Sequence, residues 1–441
     1  MSETEIMNKK IGDNVRIASI GGSAKIISEL GKGGQGTVFK VDFGGQHYAL
    51  KWYHKLQKPA FYDNLKDNIA KGAPNKHFLW PLFLTEKDRD GHFGYLMDIR
   101  KAEHRDFSQF LLAKERFSSV EALIQAGINI CLGFRELHNK GYSYQDLNDG
   151  NFFINPKDGD VLICDNDNVS PSGKNTGIKG KCRYMAPEVV LGKLPDTQSD
   201  RYSLSVILFL LLFNNHPLEG ERIAKVACMT EKNEKKFYGS EPVFIYDKTD
   251  ASNRPLPYVH QNVVNRWNIF PQYLRDAFIR QFSKDLLKNP GKRQTEKEWL
   301  DGAILRLRND LTQCPACKTA FFLEAESVQT SLKCINKRCN NTFNSPPQIV
   351  SGKNKVAVYA QKVICANITD QKSEDINRQT GLIVESAKTP GLFGLRNLSD
   401  GNWILTTKNG ENRTIEPKAT CPLLVGNQIN FGNGSHATIS I

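Results

Sequence analysis

Tyr142–Asn168, YSYQDLNDGNFFINPKDGDVLICDNDN, is the stretch that decides how this chain folds. Two short apolar runs, 152–154 and 161–164, flank a Pro-Lys-Asp-Gly turn and predict a β-hairpin with a polar loop at each end. Asp146 and Asn151 precede the hairpin, and Asp165 follows it. An acid, an amide five residues on and a second acid past a hairpin suit phosphoryl transfer. One acid orients the attacking hydroxyl and takes its proton, while the amide and the other acid hold magnesium. Polar hairpin loops more often serve only as turns, so the reading needs support elsewhere in the chain.

Upstream, Lys25–Trp52 alternates as three short strands with a glycine turn at Gly44-Gly45. Between the first two lies Gly31-Lys-Gly33-Gly34-Gln-Gly36-Thr-Val38, where the glycines let backbone N–H groups approach phosphate oxygens. A dinucleotide-binding turn would open a helix after its third glycine. Here Thr37–Val41 continues as β, which argues against one. The next strand, His47-Tyr-Ala-Leu-Lys51-Trp, ends in a lysine that fits the V-A-I-K pattern.

Taken in order, these motifs resemble the eukaryotic-like (Hanks-type) protein kinases over residues 20–305. Ala186-Pro187-Glu188, Asp200-Arg-Tyr-Ser203 opening an apolar run, and Arg293 add to the match. The resemblance implies ATP and Mg2+ as cofactors and assigns roles. Gly31, Gly33, Gly34 and Gly36 would cover the phosphates, and Lys51 would grip two of them. Asn151 and Asp165 would hold Mg2+, and Asp146 would accept the substrate proton. Val38, Ala49 and Phe153 would sandwich the adenine, with Met97, Asp98, Ile99 and Arg100 as the hinge. Arg293 would pair with Glu188.

Four positions depart from the family pattern. The helix after Lys51 offers no glutamate to it, so Asp67 is the candidate partner, with Asp63 as the other choice. Gln145 replaces the arginine before the catalytic aspartate. That makes the chain a non-RD type and argues against activation by phosphorylation at Ser170, Ser172 or Thr176. Asp165-Asn166-Asp167 replaces D-F-G. Asn148 stands where these kinases keep a lysine for the transferring phosphate, and Lys181 stands where they keep a threonine facing it. An exchange of the two would let Lys181 reach the γ-phosphate, with Asn148 as its polar rest. The alternative is a solvated loop lysine.

The chain has 441 residues, a formal charge of +12, 39% hydrophobic and 24% charged residues. Its length suggests about three domains, and its composition allows a sizeable core. MSETEIMNKK lacks an apolar core and reads as no secretory signal. The run Leu204–Phe213 is too short for a bilayer span and reads as a buried helix. Cys131, Cys164, Cys182, Cys228, Cys365 and Cys421 are scattered, as expected of reduced thiols in a cytoplasmic protein. No dense basic run with interleaved aromatics appears, so no nucleic-acid partner is expected.

Cys314-Pro-Ala-Cys317 and Cys334-Ile-Asn-Lys-Arg-Cys339 have the spacing of a four-thiolate zinc ribbon with a structural Zn2+. Ala320–Leu323 and Ser331–Lys333 read as its hairpin strands. Tyr238–Pro257 is a proline-interrupted insertion expected to cover the lower surface. Residues 346–441 alternate short strands with Gly/Asn/Asp turns, predicting a β-sandwich. Leu395–Trp403 and Gly426–Gly432 resemble part of a forkhead-associated (FHA) domain, without its phosphothreonine-gripping elements. Arg396 and Asn402 are candidate contacts there.

The expected architecture is α+β: a flexible terminus at 1–19 and a bilobal kinase-like domain at 20–307, with lobes 20–97 and 101–307. A zinc ribbon at 308–345 and an all-β, FHA-like module at 346–441 follow. That order resembles the bacterial kinases of the TerY-phosphorylation triad. The resemblance implies a Ser/Thr protein kinase with protein substrates, a von Willebrand A protein and a PP2C phosphatase as partners, and no membrane. The rival readings are a pseudokinase adaptor, a nucleic-acid-binding ribbon and a small-molecule kinase.

Overall fold

A computed structural model describes residues 9–174, 180–323 and 331–441. The chain divides into two compact units, Met1–Trp267 with Asp276–Leu300, and Asn268–Arg275 with Asp301–Ile441.

The first unit opens with a six-stranded antiparallel sheet. Its strands are β1 (Asn14–Arg16), β2 (Ser23–Lys32), β3 (Gly36–Phe43), β4 (Gln46–Tyr53), β5 (Pro81–Leu84) and β6 (Gly94–Met97), in the order β1-β2-β3-β4-β6-β5. Gly44 and Gly45 have φ of 64° and 79°, the left-handed region a two-residue turn between β3 and β4 requires. β3 alternates its side chains, burying Phe39 and Val41 with Leu50, Trp52 and Leu96 under one face of the sheet. Between β4 and β5 runs helix α1 (Pro59–Lys71), which begins on the pre-set φ of Pro59 and buries Phe61, Leu65 and Asn68.

Helices dominate the rest of this unit. A two-residue strand β7 (Arg105–Asp106) leads into α2 (Phe107–Leu111) and then α3 (Val120–Asn139). Ser119 caps α3 by accepting from Ala122 N–H at 3.1 Å. Beyond it β8 (Tyr142–Ser143) pairs with β11 (Ser170–Pro171), bracketing the hairpin β9 (Phe152–Ile154) and β10 (Val161–Ile163). The hairpin expected from the sequence therefore forms, with Phe152 opposite Ile163. After the short helix α4 (Pro187–Val190) comes α5 (Thr197–Phe213), opened by a reciprocal Asp196/Ser199 capping box. The apolar run Leu204–Phe213 is the buried helix expected. The insertion at 238–257 is anchored by its apolar triplet: Phe244 and Ile245 are fully buried and Phe244 stacks on Phe282 at 5.3 Å, while Lys248, Thr249, Ala251 and Ser252 stay exposed. Its apolar triplet Val243–Ile245 supplies area that only burial can use.

In the second unit, Leu311–Gln313 pairs with Ala320–Phe322, and Ser331–Lys333 with Thr342–Asn344. The two strands expected to face each other instead belong to separate hairpins, because each cysteine pair closes its own turn. Cys314 N–H donates to Thr319 O at 3.0 Å, and Cys334 N–H to Asn341 O at 2.8 Å. Beyond residue 346, a six-stranded and a four-stranded antiparallel sheet share one core built on Ile349, Ile383, Leu395, Trp403 and Ile429. Asn268–Arg275, inside the expected 20–307 domain, packs within this second unit: Phe270 stacks on Phe322 at 5.3 Å. No helix among the described residues is long and apolar enough to cross a membrane.

Candidate active site

Lys51 projects from β4 into a buried acidic grip. Its Nζ lies 2.8 Å from Asp167 Oδ2, 3.3 Å from Asp165 Oδ1 and 3.3 Å from Gln35 Oε1. Burial pulls Lys51 toward the neutral form, but the two carboxylates override it and hold the ammonium above the ordinary lysine range. Tyr53, two residues along the strand and so on the same face, donates to Asp167 Oδ2 at 2.5 Å. Burial and Asp167 together push the Tyr53 phenol well up.

This arrangement corrects the expected partner of Lys51. Asp63 and Asp67 both lie on the exposed face of α1. The inward positions are Asn64 and Asn68, whose amides donate to the Val169 carbonyl at 2.8 and 2.7 Å. The physical reason is helical phase: Asp67 sits one residue, about 100°, from the buried Asn68. The acid that answers Lys51 is Asp167, the last residue of Asp165-Asn166-Asp167. The signal for it was an acid where this motif ordinarily carries glycine.

Asp165 has φ 54°, ψ 45°, a left-handed backbone that lifts its half-exposed carboxylate toward Lys51. Asn151 ends the preceding loop, and its Nδ2 donates to the Asp146 carbonyl at 2.8 Å, which frees its Oδ1 for a ligand. Cys164 N–H donates to Asn151 O at 2.8 Å, so the Asn151 and Asp165 loops are fastened side by side. Burial raises the Asp146 carboxyl; the Asn148 amide, 3.3 Å from Oδ1, and Lys181 oppose the rise, while Asp165 adds to it. Lys181 Nζ donates to Asn148 Oδ1 at 3.0 Å. Lysine, amide and acid thus form one chain ending on Asp146. An oxygen donor set of Asn151 and Asp165 beside an ammonium fits a phosphate-bound magnesium.

Sequence reasoning missed what holds the catalytic loop. Asp200, at the start of α5, accepts from Tyr144 N–H at 2.6 Å and Gln145 N–H at 3.3 Å. His138, at the end of α3, meets Asp200 Oδ2 at 3.1 Å and Glu296 Oε1 at 2.9 Å. Burial alone would neutralise this histidine, but the two carboxylates raise it to about 9, while Glu296 is held down to about 2. No local signal marks His138, since its acids lie 62 and 158 residues away.

Gln145 fills the place of the missing arginine. Buried, with φ 71°, it donates to Ser143, Ser170 and the Lys174 carbonyl. Ser170 is only 1% exposed and Ser172 is exposed, while Thr176 lies outside the described residues. The activation segment is tied down at Arg183, which donates to both Glu219 oxygens, at 2.5 and 3.0 Å. Arg293 meets both Glu188 oxygens at 2.7 Å, as expected.

Around the expected nucleotide, Val38, Ala49, Met97 and Ile99 share one apolar cluster. Asp98 is exposed, and Arg100 lies over the Phe153 ring at 4.0 Å. Of the expected loop glycines, Gly36 is fixed by packing, since a Cβ there would strike the Trp52 carbonyl. Gly33 N–H donates to Gly36 O at 2.9 Å, closing the turn, while Gly31 and Gly34 face open space.

In the second unit, the thiols of Cys314, Cys317, Cys334 and Cys339 lie within 4.8 Å of one another. Cys314 and Cys339 are 3.9 Å apart, and Cys317 and Cys334 3.5 Å. Tetrahedral zinc with bonds of about 2.3 Å needs sulfurs about 3.8 Å apart, so the cluster fits that ion. The Thr319 hydroxyl hydrogen-bonds Cys317 at 3.1 Å and draws this thiol down to about 6. Arg396 and Asn402 are both exposed, whereas Asn397 is buried and donates to Gly401 O and Ile415 O.

A family model described as "Protein kinase domain" matches residues 24–302. Protein kinase C delta type of Rattus norvegicus is 27% identical over 202 residues, covering 44% of this chain and 29% of that protein. A cGMP-dependent protein kinase of Drosophila melanogaster, isozyme 2 forms cD5/T2, is 27% identical over 231 residues, covering 49% and 24%. A Caenorhabditis elegans protein whose name includes "serine/threonine-protein kinase" is 30% identical over 138 residues, covering 30% and 38%. The matched region thus spans under two-fifths of each of these relatives.

Proposed function

The chain belongs to the protein kinase family, and from that premise we propose that it transfers the γ-phosphate of MgATP to serine or threonine hydroxyls of protein substrates. The observation that carries this reading is a run of contacts that links Lys51 to Asp165, the Asp165 loop to Asn151, and Asn151 to Asp146. Lys51 touches Asp165 at 3.3 Å, and Asn151 is bonded to the Asp146 backbone at 2.8 Å.

Lys51 would hold the α- and β-phosphates, and Asn151 Oδ1 with the Asp165 carboxylate would hold magnesium, which neutralises phosphate charge when bound. Asp146 would hydrogen-bond the substrate hydroxyl and take its proton as the phosphoryl group departs. Lys181 would supply the cation that Asn148 cannot, reaching the γ-phosphate from its rest on Asn148 Oδ1. Val38, Ala49 and Met97 would enclose the adenine ring.

Gln145 and the buried Ser170 support a non-RD type that needs no phosphate at Ser170. The four-cysteine cluster supports a structural zinc ribbon, and the two-sheet core beyond it supports an FHA-like module used for docking. That order of modules supports the TerY-triad resemblance, with a von Willebrand A protein and a PP2C phosphatase as partners.

Transfer of labelled γ-phosphate to the chain itself and to candidate partners tests the reading. Asp146→Asn is expected to slow transfer by at least ~100-fold, the lower range for a positioned general base. Equal rates in wild type and variant would favour a nucleotide-binding adaptor instead.

A further inference from the structure

We propose that Asp167 is the residue that positions Lys51 for phosphate binding, in place of any acid on α1. The proposal rests on the kinase reading of the site but concerns a residue that reading does not use. Asp167 is fully buried. Its Oδ2 takes bonds from Lys51 at 2.8 Å and Tyr53 at 2.5 Å, and its Oδ1 has no partner among the described residues. A buried carboxylate is costly to bury unless paired, so this one is held where Lys51 needs a counter-charge. α1 brings no acid to this grip: its inward amides, Asn64 and Asn68, donate to the Val169 carbonyl, and Asp63 and Asp67 face solvent.

The consequence is mechanical. A lysine answered from a separate helix is competent only when that helix is docked. Here the counter-charge sits on the segment that carries Asp165, two residues away, and both acids touch the same ammonium. Lys51 and the metal ligand are therefore set by one loop. Moving the Asp165–Asp167 segment uncouples both functions together.

The test compares Asp167→Asn, Asp167→Glu and the double variant Asp63→Asn/Asp67→Asn in the full chain. Asp167→Asn is expected to reduce kcat/KM for MgATP about 100-fold, the scale of a misplaced phosphate-binding group. Asp167→Glu should recover part of that loss, and the α1 double variant should stay within twofold of wild type. Wild-type turnover in Asp167→Asn, or a tenfold loss in the double variant, would overturn the proposal. A second readout works even in a chain without transfer activity, where the kinase reading itself has failed. Acetylation of Lys51 by acetic anhydride, followed by peptide mass spectrometry, reports how firmly its amine is held in the buried grip, where it is 4% exposed. Loss of the Asp167 tether should speed labelling several-fold, with no change in the double variant. Unchanged labelling in Asp167→Asn also overturns the proposal. Should Asp167→Asn not fold, the same two readouts on Asp167→Glu and the double variant decide it: losses confined to the former support the proposal, and equal losses overturn it.

Discussion

Asp146 carries opposing influences, and their balance makes a test. Burial raises its carboxyl, whereas the Asn148 amide and the Lys181 cation favour the ionised form. Only the carboxylate can take a proton, so activity must rise with pH as Asp146 ionises, and that limb should lie above the ordinary aspartate value of about 3.9. Replacing Lys181 with Met removes the cation, so the limb should move to higher pH in a kcat/KM profile. If Lys181 also reaches the γ-phosphate, kcat should fall about 100-fold. A merely solvated lysine would leave both rate and limb in place. Tyr53 and Gln35 belong to the same residue-level picture: each bonds a member of the Lys51 grip, and neither was legible, because their partners lie 114 and 16 residues away along the chain.

Helices α3 and α5 meet through His138 and Asp200, and this junction carries the catalytic loop on its backbone. The imidazolium is favoured by two carboxylates, so its folded value of about 9 exceeds the unfolded value of about 6.5. Stability from the charged form is complete below pH ~6.5 and is lost as pH climbs toward 9. The loss should approach ~3 kcal/mol for this buried group. Glu296 acts oppositely: with a folded value of about 2, its contribution is present above its unfolded value and lost as pH falls toward 2. Urea unfolding midpoints between pH 6.5 and 9 should therefore decline in wild type and flatten in His138→Gln. Helix α1 shows why an element can be legible while its chemistry is not. The sequence located the helix, but one step of helical phase put Asn68 inward and Asp67 outward.

The two compact units each own a hydrophobic core, and the residues proposed for phosphoryl transfer and the four cysteines fall in different units. Elemental analysis should find one zinc per chain, abolished in a Cys314→Ser/Cys317→Ser variant. Stripping the metal should disorder the paired hairpins around residues 311–344 while phosphate transfer changes less than about twofold. A parallel loss of transfer and zinc would contradict that separation. The boundary between units was only partly legible: a return to the second unit by Asn268–Arg275 depends on Phe270 finding Phe322, a contact across 52 residues of chain.

What the sequence determined by itself were the local devices. The hairpin at Phe152–Ile163, the Gly44-Gly45 turn, the buried α5 and the paired cysteine knuckles each follow from residues within a few positions of one another. Turn geometry and side-chain periodicity act over that range, so they can be read along the chain. Ordered motifs also singled out Lys51, Asp146, Asn151 and Asp165 as candidates, and the Arg293–Glu188 pair, which forms. Tertiary structure alone decided which acid answers Lys51, that His138 sits between two carboxylates, and that Val243–Ile245 anchor the 238–257 insertion in the core. Those outcomes depend on charges and apolar surface meeting across more than 25 residues of chain, where burial, rather than spacing, selects the partner.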